Sequence, residues 1–399
     1  VRIIQVTFLN KYAISMYLDK STPMEQNQRI AIVDILRGWA LIGVVLVNYF
    51  LFFYLLPNNG IPQKDYISHI SRLLTDILFT NKSRIMLNVL FGFGFATVIN
   101  SVAKKGINPI SFFAKRMFWL FILGIINTCF YYGDFLKDYA IVGLIMLLFY
   151  KADKKVSLYG AILLFLIYPL TGYFFGTHEI IKTQPTDVSL YQSQNLFQVF
   201  SYGFLEGTKE LYSIGRLLGI NLFVLACFLV GQYFYKIDFF RKIVSGEISA
   251  KKMFWTSLII TISTAIINNV LPKVLKSNIL KNYDTVFWLE FGLMLVLLSA
   301  ICWLYKKDKL KRFFSSLQVI GRMTLTNYLM QNLIGLILFS GFGFNLLLQL
   351  PFYAFVLLAV FIFISQVYLS RWWLSKYKYG PVEWIWRQLS YGKLLPLRK

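Results

Sequence analysis

A chain of 399 residues that is 57% hydrophobic, 18% aromatic and only 15% charged is not an ordinary soluble domain, which averages about 45–50% apolar and about 25% charged residues. Its net charge of +23 invites a nucleic-acid partner, but the basic residues sit in short loops between apolar runs rather than on one helix face, so no nucleic acid is expected. The composition fits an all-α, polytopic integral membrane protein, built from apolar runs that approach the ~20 residues needed to cross a bilayer.

Residues 1–28 read as a mixed, basic N-terminal tail without the apolar core or cleavage site of a signal peptide. Met24 resembles a natural start, which makes 1–23 an upstream extension. A transmembrane helical domain follows over 29–379, with about ten predicted spans. They lie near 31–56, 85–103, 117–132, 139–150, 157–176, 211–235, 253–271, 285–305, 324–341 and 352–374, the fourth being short. The last segment, 380–399, opens with Gly380-Pro381-Val382-Glu383, proline in the first turn and an acid near the N-terminus of a helix. Trp384 and Trp386 suit an amphipathic helix at the cytoplasmic interface.

The charges fix an orientation. Lys104, Lys105, Lys115 and Arg116 follow the second span, Lys151, Lys154 and Lys155 the fourth, and similar clusters the sixth, eighth and tenth. Every second loop is the basic one, which places those loops and both termini in the cytoplasm. Loop 57–83, with Lys64, Arg72 and Lys82, is a partial exception.

Polar groups within spans are costly and usually face protein or a cavity. Asp34 and Arg37 are three residues apart on one face of the first span, and Asn48 returns to that face about 20 Å further along. The stripe is either a self-neutralising pair that pins packing or one wall of a substrate cavity. In the ninth span Thr324, Asn327 and Gln331 share a face just after Arg322, which suits interhelical hydrogen bonding or substrate contact equally. Glu290 has no cation at helical spacing, so its partner must come from another helix unless it is protonated. Asp134 lies at the outer end of the third span and Arg216 near the outer end of the sixth. Phe91-Gly92-Phe93-Gly94-Phe95 lacks the strand of a nucleotide fingerprint and reads as close helix packing. Cys129, Cys227 and Cys302 fall in apolar spans without metal spacing, and no metal site is expected. His178 lies in a polar outer loop. His69 precedes an amphipathic stretch, 70–79, and is an interfacial side chain or a proton-transfer group.

Several motifs carry a resemblance. They are Arg29…Val33-Asp34…Arg37-Gly38…Val47-Asn48, Leu90-Phe91-Gly92-Phe93-Gly94, Tyr132-Gly133-Asp134-Phe135-Leu136…Tyr139-Ala140, Gly321-Arg322-Met323-Thr324-Leu325-Thr326-Asn327-Tyr328-Leu329-Met330-Gln331, and Gly380-Pro381-Val382-Glu383-Trp384. In this order they resemble the YeiB-like bacterial membrane proteins (domain of unknown function 418), a branch similar to the transmembrane acyltransferase superfamily. That group includes a lysosomal heparan glucosaminide N-acetyltransferase and bacterial glycan O-acetyltransferases.

The resemblance implies a bacterial cytoplasmic (inner) membrane protein that takes an acyl group from cytosolic acyl-CoA. The acceptor would be a lipid, a glycan or another small amphiphile. Acyl-CoA would be a donor substrate, with no cofactor bound. Arg37, with Arg29 or Arg116, would bind the anionic donor, and Asn48, Asn327 and Gln331 would orient substrate; Asp34, Asp134, Arg216, Glu290 and Arg322 complete the expected polar set. The O-acetyltransferases carry a catalytic histidine eleven residues after the arginine, where this chain has Asn48, so proton transfer would fall to His69. The alternatives are a transporter or flippase for a small amphiphile and a nonenzymatic sensor or assembly factor.

Overall fold

A computed structural model of the chain describes residues 30–54, 65–175, 191–209, 211, 216–274, 283, 286–347 and 349–399. The proposed tail and its extension, Arg29, Lys64 and His178 lie outside them. Among the described residues the chain is helical, and eight helical segments are long and apolar enough to cross a bilayer, which makes it a polytopic membrane protein.

The helices follow the hydropathy closely. They are α1 (Ala31–Tyr54), α2 (Tyr66–Leu78), α3 (Lys82–Lys104), α4 (Pro109–Thr128), α5 (Leu136–Ile145), α6 (Lys154–Phe175) and α7 (Leu196–Lys209). A π-type turn, Arg216–Ile220, leads into α8 (Asn221–Lys236), followed by α9 (Phe239–Ser245), α10 (Ala250–Val274) and α11 (Val286–Lys306). The last four are α12 (Lys311–Arg322), α13 (Thr324–Phe339), α14 (Phe352–Lys376) and α15 (Pro381–Tyr391). Two of the ten expected spans fall short of the others. Helix α5 has 10 residues and continues in a 4-residue 3₁₀ turn, and α13 has 16; each reaches only about 23–24 Å, against ~30 Å of hydrocarbon.

Local chemistry sets the helix starts. Asn108 accepts hydrogen bonds from the Ile110 and Ser111 amides (3.0 and 3.2 Å) at the start of α4, with Pro109 in the first turn. Asp65 accepts from the Ser68 amide (2.6 Å) to begin α2. Helix α15 starts at Pro381 and stops at Gly392, whose φ of +64° few other residues adopt.

The outward faces require lipid. Helix α10 exposes Ile259, Ile260, Ile262, Ile266 and Ile267, a continuous patch that water would penalise. Helix α2 buries Ser68 and Thr75 while exposing Tyr66, Ile67, Ile70, Leu73, Leu74 and Ile77. An amphipathic helix with its polar side on the protein belongs at a membrane interface.

Inside, helices meet at glycines, as expected where van der Waals packing drives association. Residues Ile32–Lys399 form one compact unit. Helices α3 and α8 touch backbone to backbone: a Cβ on Gly92 would sit 2.1 Å from the Phe228 carbonyl oxygen, and one on Gly231 would sit 1.9 Å from that of Val89. Gly38 of α1 and Gly321 of α12 make the same kind of approach. Both crossings bring polar side chains of neighbouring helices together.

Candidate functional site

Two polar regions lie roughly 16 Å apart along α4, from Arg116 to Asn127. The first collects at the start of α1. Asp34 is buried and lies 3.5 Å from the Arg37 Nη1. The Arg37 Nη2 reaches the Leu90 carbonyl on α3 at 3.5 Å, and Gly94 leaves room for it, since a Cβ there would lie 3.1 Å from that nitrogen. On α4 the Arg116 guanidinium stacks 3.5 Å from the Trp386 ring centroid, while the Trp386 Nε1 donates to the Arg116 carbonyl at 2.8 Å. Arg387 lies over Tyr379. Arg116 feels the charges of both Arg387 and Arg37. Among the described residues neither Arg116 nor Arg387 has a carboxylate within 4 Å. Among the described residues three guanidinium groups accompany two acids, Asp34 and the hydrogen-bonded Glu383, and such a balance in a low dielectric favours an anion.

Helix α15 holds this arrangement together. The Glu383 Oε1 accepts from the Leu325 and Thr326 amides at 2.7 and 3.1 Å, and Oε2 accepts from the Thr326 hydroxyl. The carboxylate thus supplies the first turn of α13 with the acceptors a helix start lacks.

The second region surrounds the turn between α4 and α5. The Asp134 carboxylate accepts from Asn127 Nδ2 (2.6 Å), the Tyr328 hydroxyl (2.8 Å) and the Leu136 amide (2.9 Å). The Lys137 Nζ donates to the Asp134 carbonyl at 2.6 Å. One turn on, Asp138 receives both Nε and Nη2 of Arg216, at 3.0 and 2.8 Å, in a two-point pair buried on both sides. The guanidinium groups of Arg84 and Arg216 both lie over the Phe135 ring, at 5.2 and 5.5 Å.

The sequence candidates divide between these regions and the packing around them. Arg37 and Arg116 meet in the first region; Asp134 and Arg216 belong to the second. Asn48 donates to Asn332 Oδ1 at 3.2 Å, about 16 Å along α1 from Arg37. Asn327 and Gln331 face α14: Asn327 Nδ2 donates to the Ser370 hydroxyl (3.0 Å), Gln331 Nε2 to Gln366 Oε1 (2.8 Å) and Gln366 Nε2 to the Asn327 carbonyl (2.9 Å). Their amides serve an interhelical contact, worth about 0.6–2 kcal/mol each. Glu290 finds its cation on another helix, with the Lys82 Nζ at 2.7 Å. Lys82 is buried at the start of α3, which accounts for the exception the loop charges made. Arg322 ends α12 half-buried. His69 is exposed on α2, and its side chain forms no hydrogen bond among the described residues, so it joins neither region.

Arg84, Asn88, Lys137, Asp138, Arg387 and Asn332 escaped the sequence reading. The nearest signal was the Tyr132–Leu136 motif, since Lys137 and Asp138 follow it directly.

Comparison with known proteins agrees with this architecture. The family described as a protein of unknown function (DUF418) matches residues 234–393. Uncharacterized protein YxaH of Bacillus subtilis (strain 168) is 26% identical over 94% of this chain and 98% of its own length. An uncharacterized 39.9 kDa protein from the amylase 3' region of Bacillus acidopullulyticus is 29% identical over 94% of this chain and 97% of its own. Uncharacterized protein YeiB of Escherichia coli (strain K12) is 26% identical over 91% and 96%. No solved structure matches the chain at a significant level. With the Arg37-Gly38, Gly133-Asp134 and Gly380-Pro381 motifs placed in one helical bundle, the chain is similar to YxaH and YeiB along nearly its whole length and to the DUF418 family over residues 234–393.

Proposed function

We propose that the protein is an acyltransferase-like enzyme of the bacterial cytoplasmic membrane, with ten spans and both termini in the cytoplasm. It would transfer an acyl group from acyl-CoA to a lipid, a glycan or another small amphiphile. The observation that carries this reading is the Arg116 guanidinium, stacked on Trp386 next to Arg387, with no carboxylate within 4 Å of either arginine among the described residues. By the positive-inside argument these residues lie at the cytoplasmic end, where the phosphates of a CoA donor arrive. Paired guanidinium hydrogen bonds are the strong, directional means of holding such groups.

In the reaction an acceptor oxygen attacks the thioester carbonyl carbon, the C–S bond breaks, and the acceptor's hydroxyl proton ends on the CoA sulfur. The products are an ester and free CoA. Asn48 carries no proton transferable near neutral pH, so it would orient rather than ionise.

The test is binding of CoA to the full chain in nanodiscs, followed by transfer of labelled acetyl groups to a membrane extract. A charge-assisted contact is worth about 1.5–3 kcal/mol, so Arg116→Gln should weaken CoA binding about tenfold or more. Absence of CoA binding in the parent protein would sink the reading. Transport of a small amphiphile is a second reading, favoured by the intramembrane pairs Lys82–Glu290 and Arg216–Asp138. CoA-independent uptake into proteoliposomes would support it.

A further inference from the structure

The second polar region contains more positive charge than its carboxylates neutralise. Its cations are Arg84, Lys137 and Arg216 and its acids Asp134 and Asp138; Glu290, within the field of Arg84, is paired with Lys82 at 2.7 Å, and the Arg84 Nη2 donates to Asn81 Oδ1 at 3.1 Å. Arg216 is matched by Asp138 through two hydrogen bonds. The Asp134 carboxylate is occupied by Asn127, Tyr328 and the Leu136 amide. Lys137 is fully buried and reaches only the carbonyl of Asp134, not its carboxylate, within hydrogen-bond distance. Among the described residues neither Lys137 nor Arg84 has a carboxylate within 4 Å.

Two donors in the same place have no acceptor. Arg84 and Asn88 are one turn apart on α3 and both face the start of α5. The Arg84 guanidinium lies over Phe135, and Asn88 Oδ1 accepts from the Tyr139 hydroxyl. The Arg84 Nε and the Asn88 Nδ2 are buried without a hydrogen-bond partner; the Cys227 thiol, a weak acceptor, lies beside Asn88. Asn88 is 0% exposed, where leaving a donor unmatched costs about 1–3 kcal/mol. Such a cost points to a group that satisfies the donor.

We propose that Arg84 and Asn88, facing Phe135 and Tyr139 at the start of α5, form a binding site for a singly charged oxyanion. A phosphate group supplies the required charge and acceptors, either in a lipid headgroup or free in solution. The site stands independently of the acyl-transfer reading, because no residue is shared with the CoA region.

The test uses the full chain in dodecyl maltoside micelles, which carry no phosphate, with thermal unfolding as the readout. One arm titrates inorganic phosphate against chloride at matched ionic strength. The other adds phosphatidylglycerol to the micelles. A saturable rise in Tm is expected in one arm, and which arm responds assigns the free or the lipid-borne source. Arg84→Gln should weaken the response at least tenfold, and Arg84→Lys should recover part of it. Should Arg84→Gln fail to fold, Asn88→Ser reads the same site, because it removes the amide donor. No saturable response in either arm overturns the proposal. So does a folded Arg84→Gln or Asn88→Ser variant that responds like the parent. Loss of CoA binding by Arg116→Gln with an intact oxyanion response would separate the fates of the two sites.

Discussion

The Arg216–Asp138 pair offers a quantitative test of how the second region is held. Asp138 is 0% and Arg216 4% exposed at the side chain, and two hydrogen bonds of 3.0 and 2.8 Å join them. Removing one partner leaves the other as an uncompensated buried charge, which costs about 3–5 kcal/mol, whereas replacing both with apolar side chains is often neutral or stabilising. Asp138→Leu and Arg216→Met should therefore each raise the unfolded fraction by about two to four orders of magnitude. The double variant should lie far closer to the parent than the sum of the single losses. The assay is equilibrium unfolding of the full chain in mixed detergent micelles, followed by tryptophan fluorescence. Because Asp138 lies one turn beyond Asp134, the single variants should also displace the Asp134–Tyr328 contact. Single losses below about 1 kcal/mol, or strictly additive losses, would refute a buried, mutually dependent pair.

Other consequences are as direct. Gly321→Ala would place a Cβ 1.8 Å from the Asp34 carbonyl oxygen. With no soft side chain to yield, α1 and α12 must separate, at about 1–3 kcal/mol or more, read as a lower unfolding midpoint. Gly94→Ala meets only the Arg37 Nη2, at 3.1 Å; it should keep the parent's midpoint and weaken CoA binding, and an unchanged affinity would remove Gly94 from the donor region. Burial raises the Glu383 carboxyl above its usual range, with hydrogen bonds from Thr326 and Leu325 acting against the shift. A raised folded-state pKa makes this contribution complete below the ordinary glutamate value and lost as pH rises through the raised one. Amide exchange in the first turn of α13, corrected for intrinsic base catalysis, should quicken across that window in the parent and stay flat in Glu383→Gln. A flat parent profile would refute the linkage.

The spans were legible because hydropathy belongs to contiguous residues. Each of the ten expected runs falls on a helix, most to within a few residues; the helix of the third run, α4, begins eight residues earlier, at Pro109, and the sixth enters through the Arg216–Ile220 turn. Helix α12 was not legible. Lys311, Arg312 and Arg322 made 311–322 look like another basic loop, yet Phe314, Leu317 and Ile320 recur every three residues and are buried together. Averaging over a window erases a stripe that narrow, and only the helical period reveals it. Helix α7 was missed for a related reason: its apolar residues alternate with Gln198, Ser201, Glu206 and Thr208, too polar for a span.

The candidate site was half legible, for a physical reason. An ionisable group within a span must find compensation, so Asp134, Arg216 and Glu290 could each be singled out from one residue and its surroundings. The compensating partner obeys no local rule. Asp138 lies 78 residues from Arg216 and Asn332 lies 284 from Asn48, and only the packing of helices decides which distant polar group arrives. The same rule bears on Asn327 and Gln331. Asn327 and Gln331 have the helical spacing of a cavity wall, but in a bilayer a polar stripe is satisfied equally well by a neighbouring helix, and α14 brings Gln366 and Ser370 to meet it. Burial of a polar group in lipid therefore demands a partner without saying whether that partner is protein or ligand. Arg84 and Asn88 differ from Asn327 in that respect: the helices packed around them leave two buried donors unmatched, so the demand passes to a ligand.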